Sequence, residues 1–383
     1  MKIRAVSASA KNKSRSPANA DHIISVDYPR MTMPRHIRAQ GLAMLIGVIC
    51  GLVFYVIGLP LPWMLGPMIG LTVFSVAGAP VAGPDKLRPF VIPIIGVMLG
   101  SAIKPEIFSQ MGGWAITLAV LPLYLAIASG LSFAVYRKMG RYDPVTAFYA
   151  AMPGGLNEML ILGGAAGGDE RKIALAHAAR VLLVILFVAV FFGLFLGVRS
   201  GANANSWIAV TDPSIVDYVL LISAAVIGLW IGQLLRLPAV PVFGPMIVSG
   251  IFHLVGWVEI APPTVFIIIA QIVMGTIIGT RFIGATLSEI RRDLTLAAIG
   301  SGIMLAVAVG FALFTAWAAD VTLSEAFLAF APGGLTEMSL LTLAMDQDVA
   351  YVSTVHIIRI TLVIAIAPAV FAALRNRLTS GSQ

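Results

Sequence analysis

Long apolar stretches without charge make up most of the chain, and short segments rich in charges and turn residues separate them. Residues 39 to 84 contain no charged residue, which is enough for two membrane spans of about 20 residues each. Twelve apolar segments can be delimited in this way: 39–58, 62–79, 89–103, 113–136, 144–166 and 173–198 in the first half, then 215–235, 240–256, 262–282, 294–318, 323–344 and 350–374. The pattern predicts an all-α polytopic membrane protein.

Composition leads to the same class of protein. Hydrophobic residues make up 59% of the chain and charged residues 11%, with a mean hydropathy of +0.95. Soluble domains carry roughly 25% charged residues. These values exclude a soluble enzyme and a secreted disulfide scaffold. Cys50 is the only cysteine, so the chain has neither an intrachain disulfide nor a thiolate metal cluster.

The net charge of +7 is concentrated in residues 1–38, which hold eight basic and two acidic residues. This stretch is also rich in Ser, Ala and Asn, which predicts a largely disordered tail. The positive-inside rule places such a tail on the cytoplasmic side of the membrane. It has no helix-turn-helix or zinc pattern, so we expect no direct nucleic-acid partner.

The two halves share their most distinctive motifs in the same order. The longest match joins AFYAAMPGGLNEM at 147–159 to AFLAFAPGGLTEM at 326–338. Three further matches accompany it: His177 and Arg180 with His356 and Arg359, Gly96 and Gly100 with Gly275 and Gly279, and Gly66-Pro67-Met68 with Gly244-Pro245-Met246. The sequence therefore predicts an internal duplication, with repeats at 39–198 and 215–374, a linker at 199–214 and a C-terminal tail at 375–383.

Charge placement favours opposite orientations for the two halves. If all twelve segments crossed the membrane, Arg291 and Arg292 would lie outside while Asp320 and Glu325 lay inside, against the usual bias. A re-entrant hairpin in the fifth segment of each half, which the central Pro-Gly-Gly permits, places most basic loop residues inside. This predicts ten crossings and two re-entrant segments in an inverted repeat. Both termini would be cytoplasmic.

Inverted repeats with broken helices are a common plan of transporters, whose substrate site lies at the midplane where the halves meet. The helix that follows each Pro-Gly-Gly would point its N-terminus inward, and such an end favours an anion. Ionisable residues at membrane depth are costly and mark functional sites. The candidate substrate- and ion-binding residues are Pro153, Gly154, Gly155, Asn157, Glu158, His177, Arg180, Pro332, Gly333, Gly334, Thr336, Glu337, His356 and Arg359.

Two compatible interpretations of these charges are open. In the structural one, Glu158 pairs with Arg180 and Glu337 with Arg359, which fixes each hairpin to the following helix. In the functional one, the carboxylates or histidines take protons or ions and the arginines face an anionic substrate. The paired glycines of the third segments have the spacing of close helix packing. The Gly-Pro-Met motifs are interpreted as packing kinks, with cation binding by freed carbonyls as the alternative.

The duplicated Pro-Gly-Gly-Leu-x-Glu-Met blocks, each followed by His-x2-Arg, and the paired Gly-Pro-Met motifs resemble the AbrB family of bacterial membrane proteins over about residues 40–374. The resemblance implies an internally duplicated inner-membrane protein, described either as a regulator of gene expression or as an ammonia monooxygenase. A monooxygenase needs a cluster of metal ligands, but no two of the five histidines within one segment have ligand spacing. We therefore expect no enzyme activity, no metal and no cofactor.

The sequence as a whole favours a permease that moves a small solute, with an anionic solute as the leading case, by proton- or ion-coupled alternating access. Its expected partners are the lipid bilayer and a small molecule or ion. The alternative is a membrane-embedded regulator of gene expression that acts indirectly, without net transport.

Overall fold

The computed structural model describes residues 33–105, 107–195, 207–284, 287–319 and 321–380, which are helical with no strand among them. The first half holds α1 (Met33–Ile57), α2 (Pro62–Val76), α3 (Arg88–Ser101), α4 (Ile107–Ala134), α5 (Pro144–Ala151), α6 (Leu156–Ala165) and α7 (Glu170–Phe195). The second holds α8 (Ile215–Leu234), α9 (Val240–Leu254), α10 (Thr264–Gly279), α11 (Leu287–Ala318), α12 (Leu323–Phe330), α13 (Leu335–Ala344) and α14 (Val349–Ser380).

Two predicted tail boundaries differ from the helix ends. Helix α1 begins at Met33, inside the predicted tail, because Pro34 in the first turn is compatible with a helix start. Helix α14 continues to Ser380, beyond the predicted end at 374, since residues 375–380 contain neither Gly nor Pro. The rest of the tail, residues 199–206 of the linker and residues 381–383 lie outside the described residues.

Within the described ranges, seven helices are long and apolar enough to cross a membrane: α1, α4, α7, α8, α10 with the turn that follows it, α11 and α14. This agrees with the predicted all-helical membrane class. Helices α2, α3 and α9 have only 14 or 15 residues. They are shorter than the roughly 20 residues that span the hydrocarbon core, so helix length alone does not give the number of crossings.

The helices form two bundles, each with members from both halves. The scaffold bundle contains α1–α3 and α8–α10, whose main contacts pair α3 with α9 and α2 with α10. The hairpin bundle contains α4–α7 and α11–α14, with α11 packed against α4, α7 and α12. The two bundles meet through contacts that are smaller than those within each bundle, such as the contacts of α3 with α13 and α14 and of α2 with α7.

The paired glycines and the Gly-Pro-Met motifs pack against each other across the two halves. A methyl group at Gly96 would lie 3.1 Å from Cβ of Pro245, and one at Gly275 would lie 3.1 Å from Cβ of Pro67. Backbone atoms of α9 and α2 also approach these glycines closely. Each motif therefore serves as the packing surface of the other, which agrees with the expected close helix approach.

The fifth apolar segment of each half is broken at its Pro-Gly-Gly into two short helices, α5 with α6 and α12 with α13. Proline lacks the amide hydrogen that would continue the helix. The far ends of each pair are tied together, since Thr146 Oγ1 accepts from Asp169 N at 2.8 Å and Glu325 Oε1 accepts from Asp348 N at 3.1 Å. Each pair is thus a closed hairpin with its Pro-Gly-Gly at the tip, here called tip 1 and tip 2.

Backbone conformations correspond between the halves as the motifs do. Leu61 has φ 49° and Ala239, 178 residues later, has φ 48°. Both precede the proline-containing first turn of a short helix, α2 or α9. The positive-φ residues Gly58 and Arg236 are likewise 178 positions apart. Non-glycine residues rarely adopt this left-handed conformation, so its recurrence shows that the same turn is built at equivalent places.

Candidate functional site

Tip 1 is held by two side chains of α7. The Arg180 guanidinium donates to the carbonyl of Met152 at 2.8 Å and also to that of Ala150. The His177 ring nitrogens lie 3.0 Å from the carbonyl of Ile173 and 3.1 Å from that of Met152. His177 and Arg180 are each 3% exposed. The pair thus satisfies carbonyls that the end of α5 leaves without helical partners.

Tip 2 is held in the same way by α14. The Arg359 guanidinium donates to the carbonyls of Ala331 at 2.7 Å and Gly333 at 2.8 Å. The His356 Nε2–H donates to the carbonyl of Leu328 at 2.9 Å. A cation beside a helix C-terminus also interacts favourably with the helix dipole. The i, i+3 spacing that was singled out in the sequence therefore builds a C-terminal cap for α12.

These bonds correct the structural interpretation of the charges. In the described residues, Arg180 and Arg359 form no salt bridge with Glu158 or Glu337; their terminal nitrogens are taken by backbone carbonyls. The arginines do fix each hairpin to the following helix, but through the broken backbone rather than through a carboxylate. The sequence could not distinguish these partners, because carbonyl acceptors exist at every residue.

Glu158 and Glu337 instead fold back over the start of their own helices. A methyl group at Gly155 would collide with Oε2 of Glu158, and one at Gly334 would collide with Oε2 of Glu337. A carboxylate in the first turn of a helix is stabilised by the free amide hydrogens and the positive end of the dipole. Glycine at the position before the helix leaves room for this arrangement.

The tips are alike in build but differ in exposure. Residues 154–158 of tip 1 are all partly exposed, whereas of the equivalent residues 333–337 of tip 2 only Gly334 is partly exposed and the others are buried. Glu337 is only 5% exposed, and Thr336 is 8% exposed. Both prolines, Pro153 and Pro332, are buried. Of the remaining candidates, Asn157 shares the partial exposure of tip 1 and Gly333 the burial of tip 2.

The structure also brings the two tips near each other. Arg180 lies close enough to Arg359 for their positive charges to repel. The hydroxyl of Tyr124, on α4, interacts electrostatically with both arginines and donates to the carbonyl of Phe330 at 2.6 Å. Tip 1 also packs on the helix that holds tip 2, since a methyl group at Gly154 would lie 2.9 Å from Val363.

Arg88 is the residue that sequence reasoning missed at this place. It begins α3 in the scaffold bundle, directly after a loop. The charges of Glu158 and Glu337 both act on its guanidinium, as do those of Asp85 and Arg281. The charges of both tip carboxylates therefore reach one arginine of the opposite bundle, although neither carboxylate forms an ion pair with it in the described residues. No motif marks Arg88, because the equivalent helix of the second half, α10, begins at Thr264 without an arginine.

No group of three or more metal-ligating side chains occurs among the residues that the structure describes. The arrangement at the tips is one of a different kind. It combines two carboxylates, two pairs of helix ends, and one arginine of the opposite bundle on which both carboxylate charges act. Such a site can exchange protons or cations at the carboxylates, and it can attract an anion at the arginine when the carboxylates are neutral.

Comparison with known proteins gives one consistent family. The family described as "Transition state regulatory protein AbrB" matches residues 63–375. "Putative regulator AbrB" of Escherichia coli (strain K12) is 24% identical, over 86% of this chain and 94% of the relative. "Uncharacterized protein YhjN" of Bacillus subtilis (strain 168) is 23% identical, over 83% of this chain and 88% of the relative. The match covers nearly all of both apolar halves, and the chain belongs to the AbrB family.

Proposed function

We propose that this protein is a permease that moves a small anionic solute by alternating access, coupled to proton or ion binding at Glu158 and Glu337. The observation that carries the proposal is the unequal exposure of two hairpins of matched build. Residues 154–158 of tip 1 are all partly exposed, while at tip 2 only Gly334 of residues 333–337 is. In a transporter built from repeats, one access state pairs an open repeat with a closed one, and exchange of the two conformations opens the opposite side.

The proposed topology is the inverted repeat, with ten crossings and two re-entrant hairpins in a bacterial inner membrane. The recurring positive-φ turns and the tied ends of both hairpins support it. Arg180 lies about ten residues into α7, or about 15 Å from its start, and it contacts tip 1 there. That depth is half of a hydrocarbon core of about 30 Å, as expected for a hairpin that ends near the midplane.

The two bundles are the proposed moving parts. Helices of the scaffold bundle are locked by glycine-mediated backbone contact between halves. The hairpin bundle carries both tips and both capping arginines. Rocking of one bundle against the other would change the access of each tip without breaking either cap, which is the usual way repeats alternate.

Arg88 is the proposed receptor of the anionic group, in place of Arg180 and Arg359. Those two arginines are already bonded to carbonyls, whereas Arg88 lies across the bundle contact and interacts with both tip carboxylates. Protonation of Glu158 or Glu337 removes a negative charge that competes with an anion for Arg88. Binding of the proton and binding of the anion would then favour each other.

The test is transport by purified protein in proteoliposomes. A panel of radiolabelled small anions that includes acetate, succinate and phosphate should reveal an uptake that collapses in Glu158→Gln with Glu337→Gln. Glu259→Gln is the matched control, because Glu259 is exposed and far from the hairpins in the sequence. Uptake that survives the double change, in protein that still folds, contradicts the coupling. Labelling of single cysteines at 200 and 380 on the same side of the membrane contradicts the inverted repeat.

Indirect regulation of gene expression without net transport is the second candidate, and the printed names of the family and of the Escherichia coli relative favour it. Its proposed effector is a partner that binds the basic residues 1–38. In that case removal of the tail should abolish the change in transcripts that overproduction causes, while the Glu158→Gln and Glu337→Gln changes leave it intact. We propose no enzymatic step for either candidate.

A further inference from the structure

A cavity of about 370 Å³ lies between α4, α14 and tip 1. It is lined by Gly130 and Phe133 of α4, Phe148 and Met152 of the first hairpin, and Ile366 of α14, among others. Ser129 is the only polar side chain in the lining, and its buried hydroxyl has no hydrogen-bond partner. The cavity is therefore nearly as apolar as hydrocarbon, and water would gain few hydrogen bonds in it.

The cavity opens sideways, on the surface that two membrane-spanning helices turn outward. Gly130 and Ile366, one from each helix, are both exposed at its edge. The corresponding helices of the second half, α11 with α7 and α12, pack along more of their length than α4 with α14 and α5. The looser packing in the first half thus leaves this cavity beside the hairpin that carries tip 1, the more exposed of the two tips.

A basic residue stands near the membrane surface on the same side of α4. Lys138 lies in the π-helical turn Val135–Met139 that continues α4, eight residues after Gly130, and the wider turn of a π-helix keeps the two residues near one face. Its side chain is exposed. A lysine that flanks a membrane span attracts the anionic headgroups of the cytoplasmic leaflet. The apolar cavity and the nearby Lys138 together suit a molecule that has a hydrocarbon chain and a negatively charged headgroup.

We propose that this cavity binds one acyl chain of an anionic phospholipid whose headgroup is held by Lys138. The chain end lies against Phe148 and Met152. The carbonyl of Met152 is the acceptor for both Arg180 and His177, so the lipid supports the broken backbone of tip 1 from the side opposite its cap. The site is independent of whether any solute is transported.

The experiment uses the full chain in phosphatidylcholine vesicles with a minor fraction of phosphatidylglycerol that carries a photoactivatable diazirine at the end of one acyl chain. Peptide mapping after illumination should find label in 125–133, at Phe148 or Met152, and in 362–370. Gly130→Leu fills the recess, and a Cβ at 130 meets nothing within 4 Å. This variant should lose label roughly tenfold at these peptides, the change that blocking a site of moderate affinity produces.

Gly302→Leu is the matched control, because residue 302 also lies on an exposed face of a long helix with nothing within 4 Å of its Cβ. It should leave the label unchanged. Lys138→Gln should reduce labelling by the phosphatidylglycerol probe to the level given by the same probe with a phosphatidylcholine head. Equal labelling of Gly130→Leu and the wild type, or label spread evenly over the lipid-facing helices, overturns the proposal. So does capture of a second copy of the chain by a crosslinker placed at 130.

Discussion

Replacement of Arg359 by methionine tests whether this arginine stabilises the backbone of tip 2 or binds a substrate. Methionine keeps much of the apolar length of the side chain but cannot donate hydrogen bonds. In the variant, the carbonyls of Ala331 and Gly333 lose donors that now lie 2.7 and 2.8 Å away. We therefore expect tip 2 to lose its shape and the protein to lose stability, with no ligand present.

The magnitude follows from the two bonds. A hydrogen bond to a charged group contributes about 1.5–3 kcal/mol, so two of them give at most about 6 kcal/mol. Part of this is offset, because the variant no longer buries a guanidinium that is 2% exposed and has an unpaired Nε. The expected net loss is about 3 kcal/mol, which corresponds to a decrease in Tm of about 5 °C or more.

The assay is thermal unfolding of the purified protein in detergent, followed by size-exclusion chromatography of the material that stays folded. Arg281→Met is the matched control. Arg281 forms a partly exposed salt bridge of 3.7 Å with Asp85, and such pairs contribute about 0–1 kcal/mol. Its Tm should change by only about 1 °C. Arg359→Lys should give an intermediate loss, because one ammonium cannot reach both carbonyls as a planar fork does.

A Tm for Arg359→Met equal to that of the wild type would refute the capping role. If uptake were lost at the same time, the arginine would be a substrate residue, as the functional interpretation of the sequence has it. A large loss of stability with Arg281→Met would show instead that the assay responds to any lost positive charge.

Three further outcomes follow from the contacts. Gly96→Ala should destabilise the protein by about 1–3 kcal/mol, because the methyl meets backbone, while Gly302→Ala should be neutral or slightly stabilising in the same thermal assay. Asp348→Asn should be at least as stable as the wild type at pH 7, because burial raises the pKa of the Asp348 carboxyl and thus disfavours its charged form. Asp348→Ala should be less stable by about 1 kcal/mol, because it removes the oxygen that accepts from two amides of α14. With the raised pKa, the folded form binds a proton more readily, so the advantage of Asn should shrink as the pH falls through that pKa; equal Tm differences at pH 4 and pH 7 would contradict this. Without the native cysteine, a cysteine at Asn157 should react with a membrane-impermeant maleimide faster than one at Thr336; equal rates would contradict the unequal tips.

Much of the candidate site follows from local sequence, because its features are local. Pro153 and Pro332 lack the amide that a helix needs, so the two breaks are predictable from residue type alone. The cap arginines are partly predictable, since an arginine at that depth in an apolar helix must find acceptors. That these arginines bond to carbonyls and not to carboxylates is not predictable, because it depends on the orientation of the glutamate side chains.

Arg88 shows why the remainder of the site could not be predicted. It is one of several basic residues near segment ends, and nothing in its neighbours distinguishes it. Its importance comes from α3 packing near α13, a contact between residues far apart in the chain. The same holds for Tyr124, whose hydroxyl donates to Phe330, 206 residues later.

By itself the sequence determined that the protein lies in a membrane, that it is helical, and that two of its apolar segments are broken at a proline. These properties follow from scarce charge, long apolar segments and proline, which act through each residue and its immediate neighbours. Only the tertiary structure decided which helices share a bundle, which glycines meet which prolines, and that tip 1 is more exposed than tip 2. Because the two halves have nearly the same motifs, the motifs cannot explain why the two tips differ in exposure. Their difference arises from packing against unlike neighbours, and packing depends on the whole chain at once.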